Sequence, residues 1–169
     1  MGEHSKALSS YERSLEIMKI ALPPNHPSLA TSYNNIGSVY SKMGEYSKAL
    51  SFYEKSLANY EKTLPPNHPD LATSYNNIGN VYKNMGEYSK ALSFYEKGLE
   101  IYQKTLPPNH PWLATSYNNI ASVYYIMGEY SKALSFFERA LNIFQSSLPS
   151  NHPNIKSVQG NIEYVKKKL

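Results

Sequence analysis

Leu64-Pro65-Pro66-Asn67-His68-Pro69 is the stretch that decides the fold. Pro65 and Pro66 cannot continue a helix, because proline lacks an N–H and its ring collides with the preceding turn. Pro69 has the fixed φ that suits the first position of a new helix. Asn67 or His68 is placed to cap that helix, since a side-chain acceptor there can meet its unpaired N–H groups. The hexapeptide therefore stops one helix and starts another. It recurs ending at Pro27, Pro111 and Pro153, in the last case with Ser150 for the second proline, always in steps of 42 residues. A repeat of that period reports a repeat architecture rather than a single globular unit. The frame divides one repeat domain, 1–169, into blocks 2–43, 44–85, 86–127 and 128–169. The two central blocks are identical at 33 of 42 positions.

Working outward, the residues before the break place Tyr46, Ala49, Leu50, Tyr53, Leu57, Tyr60 and Leu64 at steps of three and four, between Glu45 and about Thr63. That is one apolar stripe on a helix. Lys48, Glu54, Lys55 and Lys62 fall mostly on its other faces. After the break, Leu71, Tyr75, Ile78, Tyr82 and Met85 make a second stripe. Gly86 then closes that helix in a left-handed conformation. A short turn between amphipathic helices makes an antiparallel hairpin. The class is all-α, about eight helices in four hairpins, with the frame starting on the second helix of a unit. The 16 tyrosines fall at helical spacing, so most are expected in the core, each with its hydroxyl reaching a partner or water.

Composition narrows the function. There is no cysteine, which removes disulfides and thiolate metal sites. The formal net charge of +4 includes the terminal run Lys166–Lys168, so the body is near neutral. Neither a nucleic-acid nor an anionic-membrane footprint is expected. No apolar run approaches the roughly 18 residues of a membrane helix, and a cytoplasmic setting is the default. His26, His68, His110 and His152 share one loop position. Stacked units would hold them about 10 Å apart, too far to share a metal at about 2.1 Å per bond. They are read as caps, with no metal and no cofactor expected. No nucleophile, phosphate-loop or paired-carboxylate pattern appears, so no catalytic residue is assigned and an enzyme is not expected.

Tyr33, Ile36, Gly37 and Tyr40, followed by Gly44, Tyr46, Ala49 and Tyr53, match the signature positions of a known family. The pattern resembles the tetratricopeptide repeat, with Ser56, Gly98 and Ala140 at its final alanine and Ala121 for one glycine. The added eight residues and His-Pro-Asp-Leu-Ala resemble its 42-residue kinesin light chain and nephrocystin-type branch. That resemblance implies a right-handed α-solenoid, a protein–protein interaction scaffold whose first helices line a concave groove for an extended peptide or partner tail.

The resemblance directs attention to polar residues of those helices. Asn35, Asn77, Asn119 and Asn161 form a column at one repeat position. An asparagine amide offers two donors and an acceptor, enough to clamp a peptide bond without reading its side chain. The alternative is that each asparagine bonds to a neighbouring helix. Asn34, Asn76 and Asn118 lie beside the column, and Lys42 and Lys83 are the clearest groove charges. The branch implies cargo peptides with acidic flanks, whereas this groove is mostly Thr, Asn and Ser, among them Thr31, Thr73, Thr115, Asn80 and Ser122. Tyr125 and Ile126 replace Lys83 and Asn84, and Trp112 replaces Asp70. Exposed aromatics make good anchors, so a small apolar pocket is expected near Tyr125 and Ile126. The alternative there is packing on the last helix through Val158.

Terminal units of a solenoid need polar outer faces. His4 and Ser10 stand where later blocks have Tyr and Phe, and Glu163 and Lys166 stand at the Gly37 and Tyr40 positions. The expectation is a self-contained capped array, with a piece of a longer solenoid as the alternative. Ile17, Met18 and Ile20 leave the first helix apolar enough for end-to-end self-association. A structural or self-assembling array without a dedicated ligand is thus the second functional reading.

Overall fold

The computed structural model describes residues 2–169, Glu3 by its backbone alone. Eight helices follow one another: α1 (Gly2–Ala21), α2 (Pro27–Lys42), α3 (Tyr46–Thr63), α4 (Pro69–Asn84), α5 (Tyr88–Thr105), α6 (Pro111–Ile126), α7 (Tyr130–Ser147) and α8 (Pro153–Lys166). No strand occurs among the described residues. Every helix packs on the next, most closely within α2/α3, α4/α5 and α6/α7, and α2 also touches α4. The result is a right-handed solenoid. The even-numbered helices lie along one side and the odd-numbered ones along the other.

The boundaries have local causes. Of the two cap candidates, histidine serves. Nδ1 of His26, His68, His110 and His152 accepts from the backbone N–H of Ser28, Asp70, Trp112 and Asn154, each at 3.2 Å. An accepting Nδ1 places the ring proton on Nε2. Gly44, Gly86 and Gly128 close α2, α4 and α6 at φ +77°, +80° and +78°. The N–H of Glu45, Glu87 and Glu129 reaches back to the carbonyls of Tyr40, Tyr82 and Tyr124 at 2.9–3.0 Å, satisfying carbonyls the helix end leaves open. A Cβ at these glycines would meet nothing, so they are required for their backbone and not for space.

Packing within a hairpin turns on a second kind of glycine. Gly37 faces the ring of Tyr53 and Gly79 that of Tyr95; a Cβ would stand 2.9 and 2.8 Å from those rings. Tyr95 is fully buried, and its hydroxyl donates to Asn80 Oδ1 at 2.6 Å. Burial pushes that phenol well above the ordinary 10.0. Unit three places Ala121 and Phe137 at the same two positions, both buried. Tyr53, Tyr60, Tyr102 and Tyr117 are likewise core, whereas Tyr11 and Tyr164 are exposed. In the same hairpins, Tyr40, Tyr82 and Tyr124 stack on Phe52, Phe94 and Phe136 at 5.4–5.6 Å between ring centroids. Met85, expected in the apolar stripe of α4, is instead an exposed C-cap residue.

Candidate functional site

The even-numbered helices hold every residue singled out for the groove, and the structure divides them into three groups. The column residues Asn35, Asn77, Asn119 and Asn161 are half-buried on this side of the molecule. Asn77 Nδ2 donates to Asn34 Oδ1 of the preceding unit at 2.9 Å, which ties α4 to α2. One amide N–H of Asn77 is therefore used between helices, as the structural alternative requires. Its carbonyl and second N–H are not engaged by that bond.

The second group turns inward. Asn76 Nδ2 donates to the Ala72 carbonyl at 2.9 Å. A Cβ at Gly98 of α5 would come within 2.9 Å of that same nitrogen. Ser56 and Ala140 occupy the equivalent places on α3 and α7, and Ser56 Oγ donates to the Ala30 carbonyl at 2.8 Å. The Asn76 and Asn118 Oδ1 atoms are buried and receive no hydrogen bond from the protein. Such an atom forgoes about 1–3 kcal/mol of hydration unless a donor reaches it. Thr31 and Thr73, also groove positions in sequence, share hydrogen bonds with the Tyr60 and Tyr102 hydroxyls at 3.0 and 2.9 Å. Phe144 has no hydroxyl for Thr115 at the corresponding place.

The third group is the set of departures from the repeat. Lys42 is exposed. Lys83 is half-buried, and that burial lowers its pKa from the ordinary 10.5. Tyr125 and Ile126 do border an apolar cleft of about 170 Å³ between α6 and α8, together with Phe137, Tyr164 and Val165, with Ser122 and Asn161 as its polar members. Tyr125 meets the last helix through the ring of Tyr164, at 6.0 Å between centroids. Val158 lies elsewhere, in a cleft of about 110 Å³ with Asn118, Phe144 and Asn154. Ile126 is half exposed, at 49%.

A third cleft, of about 160 Å³, opens between α4 and α6. Asn76, Asn77, Asn80 and Asn119 line it, with Trp112 on its border. The indole is half exposed and tilts over Tyr102 at 5.6 Å. Sequence reading found Trp112 and the asparagines, but not that they share one cavity. The amides of Asn77 and Asn119 thus line one cleft on this side, and the cleft between α6 and α8 is an apolar slot sized for a side chain. Among the described residues no three His, Asp or Glu side chains converge as metal ligands, and no helix is long and apolar enough to cross a membrane.

These features define a repeat scaffold, and the comparisons give its family. The tetratricopeptide repeat matches residues 1–62 and 70–146, and the chain belongs to that family. A Podosopora anserina protein described as a kinesin light chain with nearly identical TPR-like repeats is 25% identical in sequence. Its structure superposes with a TM-score of 0.82 over 99% of this chain and 79% of that one. BtubC from P. vanneervenii is 26% identical, with a TM-score of 0.89, covering 99% of this chain and 66% of that one. The apo form of RapI shares the fold, with a TM-score of 0.84 at 21% identity, covering 99% of this chain and 58% of that one. No curated protein sequence matches. Members of the family generally serve as protein–protein interaction scaffolds without chemistry of their own.

Proposed function

We propose that the chain holds an extended peptide, or the tail of a partner protein, against its even-numbered helices from α4 to α8. The carrying observation is the apolar cleft of about 170 Å³ bounded by Tyr125, Ile126 and Tyr164, beside a second cleft that Asn77, Asn80 and Asn119 line. One apolar side chain of the peptide enters the first. Asn119 and Asn161 pair with its backbone. The orphaned carbonyl of Asn76 takes a further donor, from the peptide or from water. Asn77 contributes less in this reading, because its bond to Asn34 already uses one amide N–H.

A random-peptide display selection on the intact chain tests it. The parent should enrich peptides sharing one apolar position. Enrichment should disappear for Asn119→Ala/Asn161→Ala and for Ile126→Ser, with helicity unchanged by circular dichroism. Failure of the parent to enrich any sequence would leave the array without a ligand groove and refute the proposal.

A further inference from the structure

Ser28, Asp70, Trp112 and Asn154 share one repeat position, in the first turn of α2, α4, α6 and α8. Only between α4 and α6 does this row set a carboxylate beside an indole. Both groups lie near Tyr102, which lines the cleft of about 160 Å³ between those helices. The indole tilts over the Tyr102 ring. Burial raises the Tyr102 phenol, and the Asp70 charge acts in the same direction, so that carboxylate is within electrostatic reach of the cleft.

Each group there has unused capacity. The stacked Tyr–Phe pairs lie under cations of the chain itself, as Lys48 and Lys90 do 5.4 Å from the centres of the Tyr40 and Tyr82 rings. Trp112 meets the rings of Tyr102 and His110, and among the described residues no Lys or Arg covers it, although tryptophan is the best π partner for a cation. Asp70 is exposed and pairs with no Lys or Arg among the described residues. Its close neighbour is His68, whose Nδ1, 3.7 Å away, already accepts the Asp70 backbone N–H. Asn76 Oδ1 is buried without a donor, and Asn77 Oδ1 is not engaged by the bond to Asn34. No charged side chain lines the cleft; Lys83 lies two turns beyond Asn76 on α4.

A π face, a carboxylate and amide carbonyls together complement a cation that carries several donors. We infer that the α4/α6 cleft is a subsite for a basic side chain, arginine or lysine, of the peptide; the inference rests on the peptide reading above. Arginine suits it best, because a planar guanidinium stacks on an indole while its N–H groups serve carboxylate and carbonyl oxygens. The corresponding cleft between α6 and α8 has Phe144 and Asn154 for Tyr102 and Trp112 and offers no such set. The apolar cleft lies roughly two turns (about 11 Å) along α6 and one helix spacing (about 10 Å) across from the basic subsite. The peptide therefore carries its basic residue about five positions of extended chain from its apolar one.

Trp112 is the chain's one tryptophan, so its emission reports on the subsite directly. The probe is acetyl-arginine methylamide titrated into the intact chain, with the uncharged isostere acetyl-citrulline methylamide as control. Arginine should change the emission saturably and citrulline should not. Asp70→Asn, an exposed substitution, should weaken the arginine response at least fivefold with helicity unchanged by circular dichroism. In display selection the parent should enrich Lys or Arg about five positions from the apolar residue, and Trp112→Ser should keep the apolar preference while losing the basic one. Equal responses to arginine and citrulline, or none to either, overturn the inference whatever the selection yields. Enriched peptides that share the apolar position without a basic residue overturn it and leave the groove standing. A saturable arginine response with no peptide enriched refutes the groove itself, and with it the assignment of this subsite to a peptide.

Discussion

Gly79→Ala is expected to destabilise the array by about 1 kcal/mol, and to cost far less in a chain that already carries Tyr95→Phe. The added Cβ would lie 2.8 Å from Cδ1 and Cε1 of Tyr95 and 3.3 Å from the Ala91 carbonyl. The ring cannot simply withdraw, because its hydroxyl is tied to Asn80 at 2.6 Å. Overpacking of this kind costs about 1–3 kcal/mol. Exchanging glycine for alanine inside a helix returns about 1 kcal/mol, so the net effect is a loss of about 0–2. Tyr95→Phe alone forgoes one hydrogen bond, worth about 1 kcal/mol. It also frees the ring to shift. Unit three already carries this combination as Ala121 and Phe137, fully packed. The double variant should therefore lie about 1 kcal/mol above the sum of the single effects. Urea unfolding followed by far-UV circular dichroism measures all four proteins, read as midpoint shifts at constant slope. Additivity within about 0.5 kcal/mol, the behaviour of independent sites, would refute the claim that the tethered ring makes glycine necessary.

Other outcomes follow from the same contacts. His110→Ala removes the acceptor for the Trp112 N–H and should lower stability by about 1 kcal/mol, whereas His110→Asn should retain most of it; thermal melts distinguish them. Ile126→Ser should reduce affinity for a selected peptide roughly tenfold with little change in melting temperature, while Tyr125→Ser, which loses ring contacts to Tyr130 and Tyr164, should lower both. At alkaline pH the sign is set by Tyr53, Tyr95 and Tyr102, whose phenols burial raises above 10.0. The unfolded chain loses those protons first, so stability is level below pH 10 and falls above it. Denaturant titrations across that range should show a smaller fall for Tyr95→Phe.

The helix plan was legible because its signals are local. Pro69 starts α4, Gly86 ends it with a positive φ, and the stripe from Tyr46 to Leu64 predicts α3 to within a residue or two. The 42-residue period then fixes which helices are equivalent. Side-chain direction between units was less legible. Asn76 and Asn77 are neighbours in sequence, yet one turns back to Ala72 and the other crosses to Asn34. That choice depends on how closely the paired helix approaches, and so on Gly98, 22 residues downstream. Thr31 and Thr73 were read as groove residues, while their hydroxyls meet tyrosines 29 residues away. The apolar cleft was foreseen from Tyr125 and Ile126 because they break the repeat. Tyr164 as its far wall was not, since the corresponding position in earlier units is Ser38, Asn80 or Ser122.

The histidine caps and left-handed glycines have a consequence for inheritance. Each boundary is set by residues within a few positions of itself, and the two central blocks carry 33 matching positions in one frame. Recombination between those blocks, in register, inserts or deletes one complete helix pair with both of its edges intact. The new junction is one the molecule already contains, so the product needs no compensating substitution. Selection on such a gene can change the length of the array in whole units of 42 residues before it alters any single contact.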